Sequence, residues 1–154
     1  MSSATSTSPT IKVLKLNPDA KLPRYSHSGP WGDLAADLAA VVAATLAPAG
    51  TPGSTQAIST GIALELPSTH GALVEDRSGL ALKGLTTLAG VIDPGYRGEI
   101  KVVVTNLNPV PFEVAAGDRI AQLRIVQRIE ATFEEVAELV EAARGAAGFG
   151  STGV

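Results

Sequence analysis

The run IKVVVTNL, residues 100–107, constrains the fold most, because β-branched side chains fill most of its positions. Such side chains favour extended backbone, so the run predicts a buried strand. The loop before it, GVIDPGYRGEI, begins at Gly90 and places Asp93 in front of a Pro-Gly turn and Tyr96 behind that turn. Because proline and glycine favour a tight turn, Asp93 and Tyr96 can be held at one pocket mouth. An ordinary hairpin corner with an Asp cap would explain the stretch equally well.

Glycine and proline interrupt the chain often. The 154 residues include 16 glycines and 10 prolines, a share above the usual value of about 12%. Frequent turns favour short strands over long helices, so we predict an all-β fold. A chain of this length can bury enough surface for one core, and no second domain is required.

Charge and composition exclude several classes of function. A formal net charge of -3 and a pI near 5.3 argue against a nucleic-acid partner, which needs a basic surface. The chain contains no cysteine, so disulfides, cysteine-based zinc sites and zinc-dependent nucleobase deamination are excluded. Residues 1–10 lack the pattern of a secretory signal, and the apolar run 39–47 is too short to span a bilayer. We therefore expect a soluble cytoplasmic protein without a membrane partner.

Apolar periodicity predicts further elements. Ile11–Leu16 alternates apolar and basic residues, as a strand with one buried face does. The segment 57–67 predicts a strand pair broken at Thr60-Gly61. The segment 102–130 predicts two strands around a proline-rich connection. Its core candidates are Ile120, Leu123, Ile125 and Val126.

Helical spacing of apolar residues occurs near the C-terminus. Val136, Leu139 and Val140 recur at intervals that suit a helix over Glu134–Arg144. Glutamates lie between them. The pattern therefore allows a helix in this segment.

The triplet Arg77-Ser78-Gly79 follows a short apolar run. Phosphate oxygens are bound well by a cation that donates two hydrogen bonds, by a small hydroxyl and by exposed backbone N–H groups. This triplet supplies all three. The same triplet is also common in surface turns, so alone it does not assign a site.

Two aspartates, Asp33 and Asp37, end the loop 22–38, which is rich in glycine, proline and serine. Each is followed by leucine. Either one could cap its own loop, because aspartate commonly accepts hydrogen bonds from nearby backbone N–H groups.

Residues 144–154, RGAAGFGSTGV, contain four glycines and no packing aliphatic before Val154. Such a segment cannot bury itself and is expected to be mobile without a ligand. Its one arginine, Arg144, can neutralise phosphate, and its one aromatic residue, Phe149, offers a flat face to a base. Glycine amides can wrap phosphate. A frayed terminus is the alternative interpretation.

Five blocks of the sequence together resemble the five motifs of the trimeric dUTPases, in the family's order. They are L-A-A-D-L at 34–38, R-S-G-L at 77–80, I-D-x-x-Y-x-G at 92–98, G-D-R-I-A-Q-L at 117–123 and R-G-x-x-G-F-G-S-T-G at 144–153. The fourth block matches without a departure. The resemblance implies a distorted jelly-roll or β-clip fold that assembles as a homotrimer, with active sites shared between subunits.

The resemblance also implies the chemistry. The reaction would be Mg²⁺-dependent hydrolysis of dUTP to dUMP and pyrophosphate, which limits uracil incorporation into DNA and supplies dUMP for dTMP synthesis. Asp93 would be the general base that activates the attacking water. Asp37 would approach the metal through water. It is preferred to Asp33 because its spacing to Leu46, Pro48 and Gly50 matches the family.

The remaining roles follow from the same resemblance. Tyr96 would pack on the deoxyribose and exclude a 2′-hydroxyl, and Gln122 would donate to the α-phosphate. Asp118 and Arg119 would be structural ion-pair residues. The other substrate-binding candidates are Arg77, Ser78, Gly79, Gly90, Arg144, Phe149, Gly150, Ser151 and Thr152.

The expected organisation has three parts. Residues 1–10 form a mobile tail, residues 11–143 a β domain, and residues 144–154 an arm that closes over the active site. In place of the helix near residue 134, the resemblance suggests a strand that ends near Val136 and then a helical turn.

The sequence departs from the family pattern in three places. Ala35 replaces a glycine, and Asp76 replaces the proline before Arg77. We expect Asp76 to pair with Arg77 or to repel phosphate slightly. The segment that reads uracil is shortened and lacks the usual Asn, although a short hairpin such as Leu85–Val91 could still offer backbone groups.

Two functions other than dUTP hydrolysis are compatible with the sequence. One is a binding or regulatory protein that kept the fold and lost turnover. The other is a dCTP deaminase, whose catalytic Glu corresponds by position to Val103.

Overall fold

The computed structural model describes residues 8–150 and Gly153. Within these residues the chain forms ten strands and one five-residue helix, α1, at Ser78–Leu82. The strands are β1 (Lys12–Lys15), β2 (Ala36–Ala39), β3 (Ala44–Leu46), β4 (Thr55–Glu65), β5 (His70–Glu75), β6 (Leu85–Thr87), β7 (Val91–Ile92), β8 (Glu99–Asn106), β9 (Phe112–Val114) and β10 (Arg119–Gln127). The predicted all-β fold is confirmed.

Two four-stranded sheets form a jelly-roll-like sandwich. The first sheet has the order β1-β4-β8-β6 and the second has the order β2-β10-β5-β7. A two-stranded pair joins β3 to β9, so the segment 102–130 contains three strands and not the predicted two. All pairings are antiparallel. Because neighbouring strands are distant in sequence, the sheets bring separated motifs together.

The inner faces of the two sheets share one hydrophobic core. Ile62 and Val102 come from the first sheet, Leu38 and Leu123 come from the second, and each is at most 2% exposed. Burial along β8 alternates with a period of two, as expected for a strand with one face on the core. Of the predicted core residues in β10, Ile120 and Leu123 are buried and Ile125 and Val126 are partly buried.

The predicted break at Thr60-Gly61 is instead a bulge within one continuous strand. β4 runs through eleven residues, and its register with β8 shifts between Ser59 and Ala63. Gly61 adopts a φ of 73° there, and its carbonyl accepts a hydrogen bond from Leu16 N at 2.7 Å. Glycine tolerates this backbone conformation, so the strand bends without ending.

Residues 85–91 do not form the predicted hairpin. β6 pairs with β8 in the first sheet, whereas β7 pairs with β5 in the second sheet. The linking residues Leu88–Gly90, here called the crossover, therefore pass from one sheet to the other. Leu88 N donates to Val103 O at 2.9 Å, and Gly90 O accepts from Val74 N at 2.8 Å. Each end of the crossover is thus tied to a different sheet.

The segment after β10 is neither the predicted helix nor the predicted strand ending near Val136. β10 ends at Gln127, and residues 130–142 have no regular structure. Leu139 and Val140 are 85% and 97% exposed. A short helix without a packed apolar face is marginal in water, which explains why the apolar spacing alone does not produce one. Within the part of the chain that the structure describes, no helix has the length and apolar character needed to cross a membrane.

Candidate active site

The crossover lines a cavity of about 580 Å³. Gly90 forms part of its wall, and both Asp93 and Tyr96 line it from the following loop. The structure therefore brings these three predicted site residues together. Alternate residues of β8 complete the lining, because side chains of a strand point to opposite faces in turn. These residues are Glu99, Lys101 and Val103.

Position 90 accepts only glycine without rearrangement. Gly90 has a φ of 125°, and a Cβ there would lie 2.5 Å from the carbonyl oxygen of Val74. The preceding Ala89 also has a positive φ, 62°, which L-residues adopt at a cost of about 1 to 2 kcal/mol. The crossover is therefore a strained backbone segment whose shape defines the cavity wall.

The Asp93 loop is a closed turn. Tyr96 N donates to Asp93 O at 3.1 Å, and Tyr96 Oη donates to Glu99 O at 2.8 Å. A Cβ at Gly98 would lie 2.6 Å from Tyr96 Oη, so the absence of a side chain at Gly98 makes room for the phenol. The Asp93 residue is exposed. The loop thus holds a carboxylate and an aromatic ring at the cavity mouth, as the turn residues predicted.

Asp37 lies in a second group, the arginine cluster, which consists of Ser26, Asp37, Arg77 and Arg119. Asp37 Oδ1 accepts from Arg77 Nε at 3.1 Å. Asp37 Oδ2 accepts from Arg119 Nη1 at 3.2 Å and from Ser26 Oγ at 3.0 Å. The Asp37 side chain is only 17% exposed. Two guanidinium groups around one carboxylate leave a net positive charge, which suits an anionic ligand.

The prediction that Asp118 and Arg119 are structural ion-pair residues is correct for Arg119 alone. Arg119 pairs with Asp37. Asp118 instead closes a turn, since its Oδ2 accepts from Ala115 N at 2.8 Å.

Asp33, the other candidate in the first motif, caps its own loop. Its Oδ2 accepts from His27 N at 2.9 Å, and its Oδ1 lies 3.2 Å from His27 Nδ1. The backbone hydrogen bond from His27 is the main reason that the pKa of Asp33 lies below its usual value. Only Asp37 contacts the arginine of the second motif.

Asp76 does not pair with Arg77 as predicted, because Arg77 pairs with Asp37. Asp76 Oδ2 accepts from Thr86 Oγ1 at 2.6 Å, and its Oδ1 accepts from both N and Oγ1 of Thr87 at 2.6 Å. Partial burial raises the pKa of Asp76, but these hydrogen bonds outweigh burial and hold the pKa below its usual value.

Gln122 lies beside Asp76. Gln122 Nε2 donates to Asp76 O at 2.8 Å. Both residues line a second cavity, of about 780 Å³, together with Thr87. This hydrogen bond holds the amide of Gln122 beside Asp76, the residue that follows β5 and directly precedes Arg77.

The other predicted substrate-binding residues that the structure describes are exposed to solvent. Ser78 and Gly79 begin α1 and are open to solvent. Arg144 lies in the C-terminal segment, where its Nε donates to Ala147 O at 2.7 Å. Phe149 is fully exposed and Gly150 is exposed. Ser151 and Thr152 lie outside the described residues.

The candidate metal site contains one carboxylate rather than a cluster of ligands. Among the described residues, no group of three or more His, Asp or Glu side chains could hold a metal ion. Proteins commonly bind Mg²⁺ through one or two carboxylates, water and the phosphates of a substrate. Both oxygens of Asp37 already accept hydrogen bonds from Arg77, Arg119 and Ser26, so Asp37 would contribute to such a site through water rather than by direct coordination.

A family model described as dUTPase matches residues 27–153. The chain belongs to the dUTPase family. A deoxyuridine 5′-triphosphate nucleotidohydrolase of Thermobifida fusca is 48% identical over 148 residues, which cover 93% of this chain and 78% of the relative. The nucleotidohydrolase of the same name from Solibacter usitatus is 46% identical over 146 residues, which cover 93% of this chain and 95% of the relative.

Solved dUTPase structures share the fold. A Staphylococcus bacteriophage 80alpha dUTPase with dUpNHpp superposes with a TM-score of 0.83 at 26% identity, covering 96% of this chain and all (100%) of that one. A dUTPase from phage phi11 of S. aureus, described with a structural Mg(II) ion, has a TM-score of 0.74 at 23% identity, covering 86% of this chain and 99% of that one. The second comparison shows the fold alone.

The sequence did not point to two residues of the candidate site. Ser26 joins Asp37 in the arginine cluster, and Lys101 lines the Asp93 cavity. Arg119 was predicted only as an ion-pair residue, and its partner in that cluster is Asp37. The alternation along residues 99–103 was the available signal for Lys101. Ser26 had no comparable signal, because its contact to Asp37 depends on how the loop 22–38 folds.

Proposed function

We propose that this chain hydrolyses dUTP to dUMP and pyrophosphate. The observation that carries this proposal is the placement of Asp93 and Tyr96 at the mouth of one cavity, with Gly90 in its wall. The chain belongs to a family whose relatives are nucleotidohydrolases of deoxyuridine triphosphate. The reaction limits uracil incorporation into DNA and provides dUMP for dTMP synthesis.

Asp93 acts as the general base. Its exposed carboxylate accepts a proton from a water molecule while the water oxygen attacks the α-phosphorus. The bond from the α-phosphorus to the oxygen that bridges it to the β-phosphate breaks, and pyrophosphate leaves with that electron pair. Asp93 then releases its proton to solvent.

The cavity selects the nucleoside. The crossover offers backbone groups to uracil, in place of the Asn that this sequence lacks. Tyr96, fixed by its hydrogen bond to Glu99 O, packs on the deoxyribose and leaves no room for a 2′-hydroxyl.

The phosphates require groups from elsewhere in the assembly. The Asp93 cavity and the arginine cluster have no lining residue in common within the described chain. A homotrimer explains how one substrate reaches both, since the phosphate-binding residues then come from neighbouring subunits. Those residues are Arg77, Ser78, Gly79, Gln122, Arg144, Gly150, Ser151 and Thr152, and Phe149 of the same C-terminal segment stacks on the base.

Asp37 would hold Mg²⁺ through water, beside the triphosphate. The ion, when bound, would supply positive charge that offsets the negative charge of the phosphate oxygens. Arg77 contributes to the same neutralisation, and the Asp37 contact keeps its guanidinium in place.

The test is pyrophosphate release from dUTP, compared with dCTP, dTTP and UTP. Rapid release from dUTP alone supports the proposal. Binding of dUTP without release would favour the regulatory alternative. Ammonia release from dCTP would favour deamination, although Val103 lines the cavity with a side chain that cannot ionise. The cytoplasmic location stays a prediction.

A further inference from the structure

Asp76 stands where two parts of the molecule meet. It directly follows β5 in the second sheet, and its carboxylate accepts hydrogen bonds from Thr86 and Thr87 of β6 in the first sheet. All three donor-acceptor distances are 2.6 Å. Hydrogen bonds to an ionised acceptor are short and about twice as strong as neutral ones. The carboxylate therefore ties one sheet to the other at this edge.

The hydrogen bonds between Asp76 and Thr87 lie next to the crossover. Thr87 immediately precedes Leu88 at one end of the crossover. At the other end, Gly90 O accepts a hydrogen bond from the backbone N–H of Val74, which lies two residues before Asp76. Asp76 thus holds β6, the strand after which the crossover begins. The crossover has only three residues, and Thr87 is covalently joined to its first, so movement of Thr87 would be passed directly to the wall.

The same residue also reaches the groups proposed to bind phosphate. Its carbonyl oxygen accepts from Gln122 Nε2 at 2.8 Å, and the next residue, Arg77, pairs with Asp37. One residue therefore connects the cavity wall with the start of the Arg77-Ser78-Gly79 segment.

We propose that Asp76 is a positioning residue that holds the crossover in the geometry required to bind the deoxyuridine nucleotide. This inference rests on the proposed function. It assigns a positioning role to a residue that, from the sequence, was expected either to pair with Arg77 or to repel phosphate slightly.

The experiment compares Asp76→Ala, Asp76→Asn, Thr87→Val and a control, Thr55→Val, in the full-length chain. Thr55 Oγ1 donates to Thr105 Oγ1 at 2.8 Å, and neither residue lines the Asp93 cavity or the Asp76 cavity. The control therefore removes a threonine hydrogen bond from the same sheet without touching either cavity. Thr87→Val removes a single hydrogen bond, so it remains informative if Asp76→Ala does not fold.

The first readout is amide hydrogen exchange of the peptide 85–92, which does not depend on activity. Asp76→Ala should speed exchange there by roughly tenfold, because the local structure opens more often. Asp76→Asn should be affected less, since an amide oxygen still accepts from Thr87. Thr55→Val should leave exchange in this peptide unchanged.

The second readout is steady-state hydrolysis of dUTP. Asp76→Ala should raise KM about five- to tenfold while kcat stays within about threefold, the pattern expected when ground-state binding is lost. Asp76→Asn should lie closer to the wild-type KM, and Thr55→Val should match it.

Three results would overturn the inference. They are wild-type exchange at 85–92 in Asp76→Ala, an unchanged KM in that variant, or an equal effect of Thr55→Val on both quantities. If the wild type releases no pyrophosphate from dUTP, the proposed function fails. Calorimetric titration with dUpNHpp then replaces KM, and the exchange readout still decides the role of Asp76.

Discussion

Replacing Gly90 with alanine tests whether the crossover shapes the cavity. The new Cβ would lie 2.5 Å from Val74 O, at a φ of 125°. A residue held in such backbone geometry costs about 1 to 3 kcal/mol. Moving away from Val74 also weakens the Val74 N to Gly90 O hydrogen bond, worth about 1 kcal/mol. Together these terms lower the free energy of unfolding by roughly 2 to 4 kcal/mol.

The assay is thermal unfolding at matched protein concentration, combined with dUTP kinetics. A loss of this size lowers Tm by roughly 5 to 15 °C in a chain of this length. The displaced wall should also raise KM for dUTP. Gly95→Ala is the stability control, because a Cβ at Gly95 meets nothing within 4 Å and Gly95 is not among the residues with positive φ. A Gly90→Ala protein with the Tm and KM of the wild type would refute this account of the cavity wall.

Four further outcomes are expected. Asp93→Asn should keep the fold and nucleotide binding but lower kcat by about 10² to 10⁴, so near-normal turnover would remove Asp93 from the role of base. Deleting residues 144–154 should leave Tm almost unchanged, because the described residues of this segment are mostly exposed, and should sharply reduce turnover; a large fall in Tm would show instead that the segment is packed. Light scattering at micromolar concentration should give the mass of a trimer, and an active monomer would contradict the shared site. The folded protein lowers the pKa of Asp76, so the ionised carboxylate stabilises the fold fully above the ordinary pKa of 3.8 and loses this effect as pH falls through the folded-state pKa. The Tm difference between wild type and Asp76→Ala should therefore shrink only below about pH 4.

The relative positions of candidate site residues were predictable from the sequence where a single turn determines them. Asp93 and Tyr96 lie three residues apart across a Pro-Gly turn, so their common position at one cavity follows from the turn itself. The strand after them was equally clear, because β-branched residues continue through β8. The resemblance to dUTPases added the roles, which no local pattern carries.

Contacts across the sheets were not predictable in the same way. Arg77 meets Asp37 because β5 and β2 both flank β10, although forty residues separate the pair in the chain. The segment 85–91 has the composition of a hairpin, but its first half pairs with β8 and its end, with Ile92, pairs with β5. The hydrogen bonds of Asp76 were not predictable for the same reason, since they depend on where pairing with β8 places Thr86 and Thr87.

The length of the crossover limits how this cavity can change. Three extended residues span at most about 10 Å, which is close to the usual distance between two packed sheets. Leu88–Gly90 bends through two residues of positive φ, Ala89 and Gly90, so it reaches less far than this limit, and its ends are bonded to Val103 and Val74. Exchanging side chains of β8 that line the cavity, such as Val103, would alter the lining but leave the wall where it is. Moving the wall outward for a bulkier base would require either the loss of both end hydrogen bonds or the insertion of residues into the crossover.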